Sequence, residues 1–298
     1  MTKKIPVGRT IAHAYRFVFT QPLAIFKAAW LPMLASLAVA FLFFKRMILF
    51  MTAAQAHDPA AVSLFGSIVL LIALLLVFFF AQFTAITETA MGRPAPSWIA
   101  LHFSWTMWRM LGSFLAGAGV IAVVTILVII VAYLAGLGLD ALVKAVPGLR
   151  LASAIAAGLA VLACLCVIVF TATRFLFLLG PVTVSRQGLG LARSWELSNR
   201  NFWRMFLVTL SILIPVGIAN RALSYALVGL PPTLPANLSK AARDAAEMAW
   251  QITQMNKMTE LWYIFLPIAG LLMLFQLGAG CAAQAYAYQK LTEDDGLA

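Results

Sequence analysis

Apolar residues gather into six long runs, at roughly 23–44, 62–87, 110–139, 151–180, 203–229 and 262–287, with polar stretches between them. A segment of about 20 mostly apolar residues crosses the ~30 Å of a bilayer's hydrocarbon, and each run reaches that length. With no water to satisfy the backbone in lipid, each run closes its own hydrogen bonds only as a helix. The short alternating segments of a membrane β-barrel do not occur. The pattern therefore predicts an all-α polytopic membrane bundle of six transmembrane helices. Lys3, Lys4, Arg9 and Arg16 precede the first run and Lys45 with Arg46 end it, with no small-residue cleavage site. That run is expected to stay in the protein as a span.

The polar stretches have patterns of their own. Segment 97–110 follows Pro94 and Pro96, and Ser97 is a suitable helix cap. Its Trp98, Trp105 and Trp108 share one stripe, as expected of interfacial anchors. Segment 189–204, taken as one helix at about 100° per residue, puts Arg193, Arg200 and Arg204 on one face. Trp195, Phe202 and Trp203 then fall on the other. Segment 237–258 follows Pro231, Pro232 and Pro235 and predicts an outer amphipathic helix, with Ala242, Ala245, Met248, Ile252 and Met255 at 3–4 spacing.

The spans pair into three hairpins, each introduced by a short inner segment. Trp108-Arg109-Met110 opens span three and Trp203-Arg204-Met205 opens span five; Phe83-Thr84-Ala85 is echoed by Phe170-Thr171-Ala172. These echoes predict a repeat within one membrane domain, 1–298, with units at about 1–92, 93–187 and 188–298.

Composition supports the class: 63% of the 298 residues are hydrophobic and 10% charged, against about 25% charged in soluble domains. The net charge of +11 is not read as a nucleic-acid signal, because the basic residues cluster at span ends. Arg186, Arg193, Arg200 and Arg204 lie between spans four and five, whereas the long segment 230–261 is charge-balanced and counts for less. Both termini are expected on the cytoplasmic side of a bacterial inner membrane.

Candidate chemistry is sparse. Cys164, Cys166 and Cys281 sit inside spans without a metal or redox spacing, and His13, His57 and His102 are scattered. No catalytic residue, metal or cofactor is expected. Ionisable groups near the spans are the place to look for function, and Glu88 with Arg174 is the intramembrane polar pair to consider.

Residues 174–204 contain Arg174-Phe175-Leu176-Phe177-Leu178-Leu179-Gly180-Pro181, then Gly188, then Leu191-Ala192-Arg193-Ser194-Trp195-Glu196-Leu197 and Asn201-Phe202-Trp203-Arg204. This stretch resembles the signature around the fourth and fifth spans of the membrane domain in some bacterial glycerophosphoryl diester phosphodiesterases. Related stand-alone multi-pass proteins share it. Family members often carry an acidic residue where Ser185 stands. After Lys290 the sequence holds only a short acidic stretch, so the resemblance implies a membrane module without the hydrolase activity. Two readings stay open. One is a non-enzymatic module that engages lipid headgroups, anionic ones included, or a membrane-protein partner, through Arg186, Arg193, Arg200 and Arg204. The other is a small-solute or lipid transporter with a cavity among the hairpins.

Overall fold

In a computed structural model the chain forms α1 (Val7–Thr20), α2 (Pro22–Gln55), α3 (Ala60–Ala90), α4 (Trp105–Ala145), α5 (Arg150–Leu176), α6 (Leu179–Ser185), α7 (Leu191–Leu197), α8 (Phe202–Val228), α9 (Lys240–Glu260) and α10 (Trp262–Thr292). The structure describes residues 4–56, 58–93, 103–146, 150–185, 190–230 and 239–293, and none of these is in a strand. Six helical stretches are long and apolar enough to cross a membrane: α2, α3, α4, α5 continuing through α6, α8 and α10. The all-α, six-span architecture of a membrane protein is thus present. Large apolar side chains such as Leu127, Ile130 and Leu162 stand exposed along these helices, as expected when lipid is the solvent.

The residues cluster into two compact units, each discontinuous in sequence. One comprises 1–10, 108–208 and 284–298, the other 11–107 and 209–283.

In the second unit α2 and α3 pack along each other across a short connection, where Asp58 accepts the Ala60 amide at 2.8 Å and caps α3. Gln82 of α3 donates to Ser36 Oγ of α2 at 2.6 Å, and Ser36 donates to the Pro32 carbonyl at 2.7 Å. Gly278 of α10 lets Ile25 and Val18 approach so closely that an added Cβ would lie 3.1 and 3.2 Å from them. Pro215 of α8 has no N–H, which deprives the Ser211 carbonyl of its helix donor. The Tyr15 hydroxyl of α1 donates to that carbonyl at 2.8 Å and fills the gap.

The outer helix is present as α9, capped by Ser239, whose hydroxyl accepts the Ala242 amide at 3.3 Å. Its predicted first residues, 237 and 238, lie outside the described residues. It packs against α2, and Lys257 donates to the carbonyl of Val228, the last residue of α8, at 3.0 Å.

In the first unit α5 ends at Leu176 and the chain resumes as α6, whose residues Leu179 to Val184 are all buried. Gly117 of α4 admits Leu176, Leu179 and Leu191. Gly190 opens α7 with φ of 69°, and a Cβ there would lie 2.9 Å from Val182 Cγ1, so only glycine fits both the backbone and the space.

Two expected interfacial helices are corrected. Segment 97–110 is not a separate element over its described part. Helix α4 starts at Trp105, where Ser104 Oγ accepts the Met107 amide at 3.2 Å, and runs on into the span. Segment 189–204 is not one helix: it breaks between α7 and α8, and Arg200 adopts φ of 61°. A left-handed residue other than glycine costs about 1–2 kcal/mol, so other contacts must hold this turn.

The Tyr15–Ser211 bond should matter only because Pro215 is there. Tyr15→Phe is expected to cost about 1 kcal/mol of stability in the native background and close to nothing beside Pro215→Ala, which restores the missing donor. Unfolding of the four variants in mild detergent measures the coupling; an equal cost in both backgrounds refutes it.

Candidate functional site

The stretch 174–204 folds into a joint in the first unit. Arg174, in the last turn of α5, lays its guanidinium 3.6 Å from the Trp195 ring centroid of α7. It donates from Nη2 to the Trp195 carbonyl at 2.9 Å and from Nε to Ser198 Oγ at 3.2 Å. Phe175 stacks with Trp195, centroids 4.7 Å apart. The last carbonyls of α5 have no partner in their own helix, and the buried Ser194 hydroxyl donates to that of Phe175 at 2.8 Å. One arginine and two serines thus tie α7 to the end of α5.

A second tie lies a few residues on. The buried Asn201 accepts the Ile5 amide through Oδ1 at 3.1 Å, and Arg204 Nη1 donates to the Ile5 carbonyl at 2.7 Å. Ile5 itself is fully buried. The two side chains together grip both backbone groups of one residue 196 and 199 positions away. That grip, together with the Asn201 backbone amide's donation to the Ser198 carbonyl at 3.1 Å, holds the turn at Arg200.

The arginines assigned to lipid headgroups are accordingly not gathered on one face. Arg204 is turned to Ile5, and Arg193 pairs with Glu196 of its own helix at 3.4 Å. Arg200 is exposed in the turn, with no partner among the described residues. Arg186 lies outside the described residues. Glu88 and Arg174 fall in different units, and Glu88 faces Arg93 at 3.8 Å. Of the expected interfacial tryptophans, Trp105 is 76% exposed, Trp203 69% and Trp108 46%, as an anchor requires. Trp195 is instead half-buried beneath Arg174, and Trp98 lies outside the described residues.

The two Trp-Arg-Met openings behave alike. Met110 and Met205 are fully buried, Trp108 and Trp203 face outward, and each arginine reaches a distant carbonyl. Arg109 donates to Thr183 at 3.4 Å, the longer of the two contacts.

A groove of about 540 Å³ runs between α5 and α8, walled by Leu165, Val167 and Phe170 on one side and Phe202, Trp203 and Phe206 on the other. Sequence reasoning missed it, because groove-facing and lipid-facing residues are equally apolar. A cavity of about 310 Å³ beside His13, Arg16 and Thr20 in the second unit is more polar. Burial, and then the nearby Arg16 charge, lower the His13 pKa below its usual value. Among the described residues no group of three or more His, Cys, Asp or Glu is placed to hold a metal ion.

No protein-family model, curated protein or solved structure matches the chain.

The grip on Ile5 is expected to show in amide exchange. Asn201→Ala should speed exchange of the Ile5 amide by about tenfold or more, whereas Arg200→Ala should leave it unchanged. Exchange at Ile5 that is the same in Asn201→Ala as in the parent would contradict the assigned contact.

Proposed function

We propose that this chain is a non-enzymatic integral membrane module of a bacterial cytoplasmic membrane, with both termini inside. It engages anionic lipid headgroups through basic residues at its inner face. In this reading it is a counterpart of the membrane domain that residues 174–204 resemble, built from three hairpin repeats. The like treatment of Trp108-Arg109-Met110 and Trp203-Arg204-Met205 supports the repeat.

One observation carries the headgroup reading: positive charge stands uncompensated where α5 ends and α8 begins. Among the described residues no carboxylate pairs with Arg174 or Arg200. Arg200 is held outward at a conformational cost, and Trp203, three residues on, is exposed, as a tryptophan that anchors at the headgroup level would be. A basic side chain near an anionic leaflet gains about 1 kcal/mol.

Arg174 and Arg204 hold the fold, Arg193 is part-buried and paired with Glu196, and Arg200 is displayed. Changing Arg193 and Arg200 to Gln is expected to lower retention of phosphatidylglycerol and cardiolipin several-fold relative to phosphatidylcholine. Native mass spectrometry of protein released from mild detergent reads this directly. Unchanged retention would reduce both arginines to topology signals, and retention of a protein in place of lipid would shift the reading to a membrane partner.

A further inference from the structure

Resting on the headgroup reading above, we propose that the groove between α5 and α8 holds one acyl chain of an anionic phospholipid. Its phosphate lies at Arg200 and the free edge of Arg174.

The apolar wall and the charges are arranged in order along the two helices. On α5 the wall residues Leu165, Val167 and Phe170 come first and Arg174 follows one turn after Phe170. On α8 the order is reversed, with Arg200 immediately ahead of Phe202, Trp203 and Phe206. The apolar lining therefore ends, on both walls, at the same end where the arginines begin. Phe170 and Phe202 meet there with centroids 4.8 Å apart, and the Arg174 guanidinium lies 5.5 Å from the Phe170 centroid. A molecule with an apolar tail and an anionic head matches that order.

Arg174 is able to take a phosphate without leaving its post. A guanidinium carries five N–H donors, and the bonds to Trp195 and Ser198 use Nη2 and Nε. The other N–H groups have no acceptor among the described residues. Stacked on Trp195, the group is fixed in plane and ready for a forked contact with phosphate oxygens.

The groove's chemistry selects a lipid chain over a second helix. Close helix packing in membranes uses small residues that bring backbones together. Here the walls are Phe, Trp, Leu and Val, which leave a bulky-sided channel of about 540 Å³, within the range of small-molecule sites. Both walls belong to helices long and apolar enough to cross a membrane, where hydrocarbon is the solvent. A free anionic solute would meet the arginines but leave the apolar wall uncovered.

The test uses the full chain in phosphatidylcholine nanodiscs with a trace of phosphatidylglycerol bearing a photoreactive group near the end of one acyl chain. A phosphatidylcholine probe with the same chain is the control. Mass spectrometry of the irradiated protein should place adducts on 165–170 and 202–206, about tenfold more with the phosphatidylglycerol probe. Excess unlabelled phosphatidylglycerol should compete them away, and inorganic phosphate should not. Val167→Trp, at a position already 44% exposed, fills the groove without touching an arginine and should abolish the adducts. Arg200→Gln should erase the preference for phosphatidylglycerol. Adducts as dense on lipid-facing Leu127 and Ile130 of α4 as in the groove would overturn the assignment. So would equal labelling by both probes, displacement by inorganic phosphate, or cross-links between two copies across the groove. If headgroup retention depends on Arg193 and Arg200 yet no groove adducts form, this inference fails and the headgroup reading stands. Loss of both results removes both.

Discussion

In a bilayer a backbone carbonyl that loses its helix donor has no water to turn to, and this constraint shapes every joint described above. The clearest case is Arg174. Where α5 ends, its guanidinium covers Trp195 at 3.6 Å and donates to the Trp195 carbonyl, while Ser194 donates to that of Phe175. The same device recurs where other helices stop or lose a donor. Tyr15 serves the carbonyl that Pro215 orphans and Lys257 serves the end of α8, while Asn201 with Arg204 satisfies Ile5 in the non-helical segment ahead of α1. At these joints polar side chains substitute for missing backbone partners.

That explains what was legible in the sequence and what was not. The spans were legible because apolar runs longer than a bilayer's thickness have one stable conformation in it. Their ends were less so. Helix α2 runs on to Gln55, past Lys45 and Arg46, because helical hydrogen bonding does not stop where hydrophobicity does. Helix α9 was legible from spacing alone, since nothing interrupts it. Segment 189–204 misled for a definite reason. Periodicity assumes an unbroken backbone, and the break at Arg200 depends on Asn201 binding Ile5 across 196 residues, a contact that no local pattern encodes. Trp195 looked like an interfacial anchor because its partner, Arg174, is likewise distant in the chain.

The division among the arginines follows from the same physics. Charge near a membrane end reads as one signal in a sequence, yet the structure spends it in two ways. Arg174 and Arg204 satisfy carbonyls. Arg200 faces outward, while Arg193 is part-buried and paired with Glu196. In the proposed reading a headgroup meets Arg200 and the free edge of Arg174. The stretch that carries the resemblance, 174–204, is also the stretch that holds this joint together, so its residue pattern has a structural reason independent of any activity.

Arg174 acts through its planar fork rather than through charge alone. Lysine in its place keeps the charge but loses the stacked plane and the paired donation to Trp195 and Ser198. Unfolding of Arg174→Lys in mild detergent should therefore show a loss of about 2 kcal/mol relative to the parent. A variant as stable as the parent would mean that position 174 needs only a positive charge, and the joint would have to be held by something else.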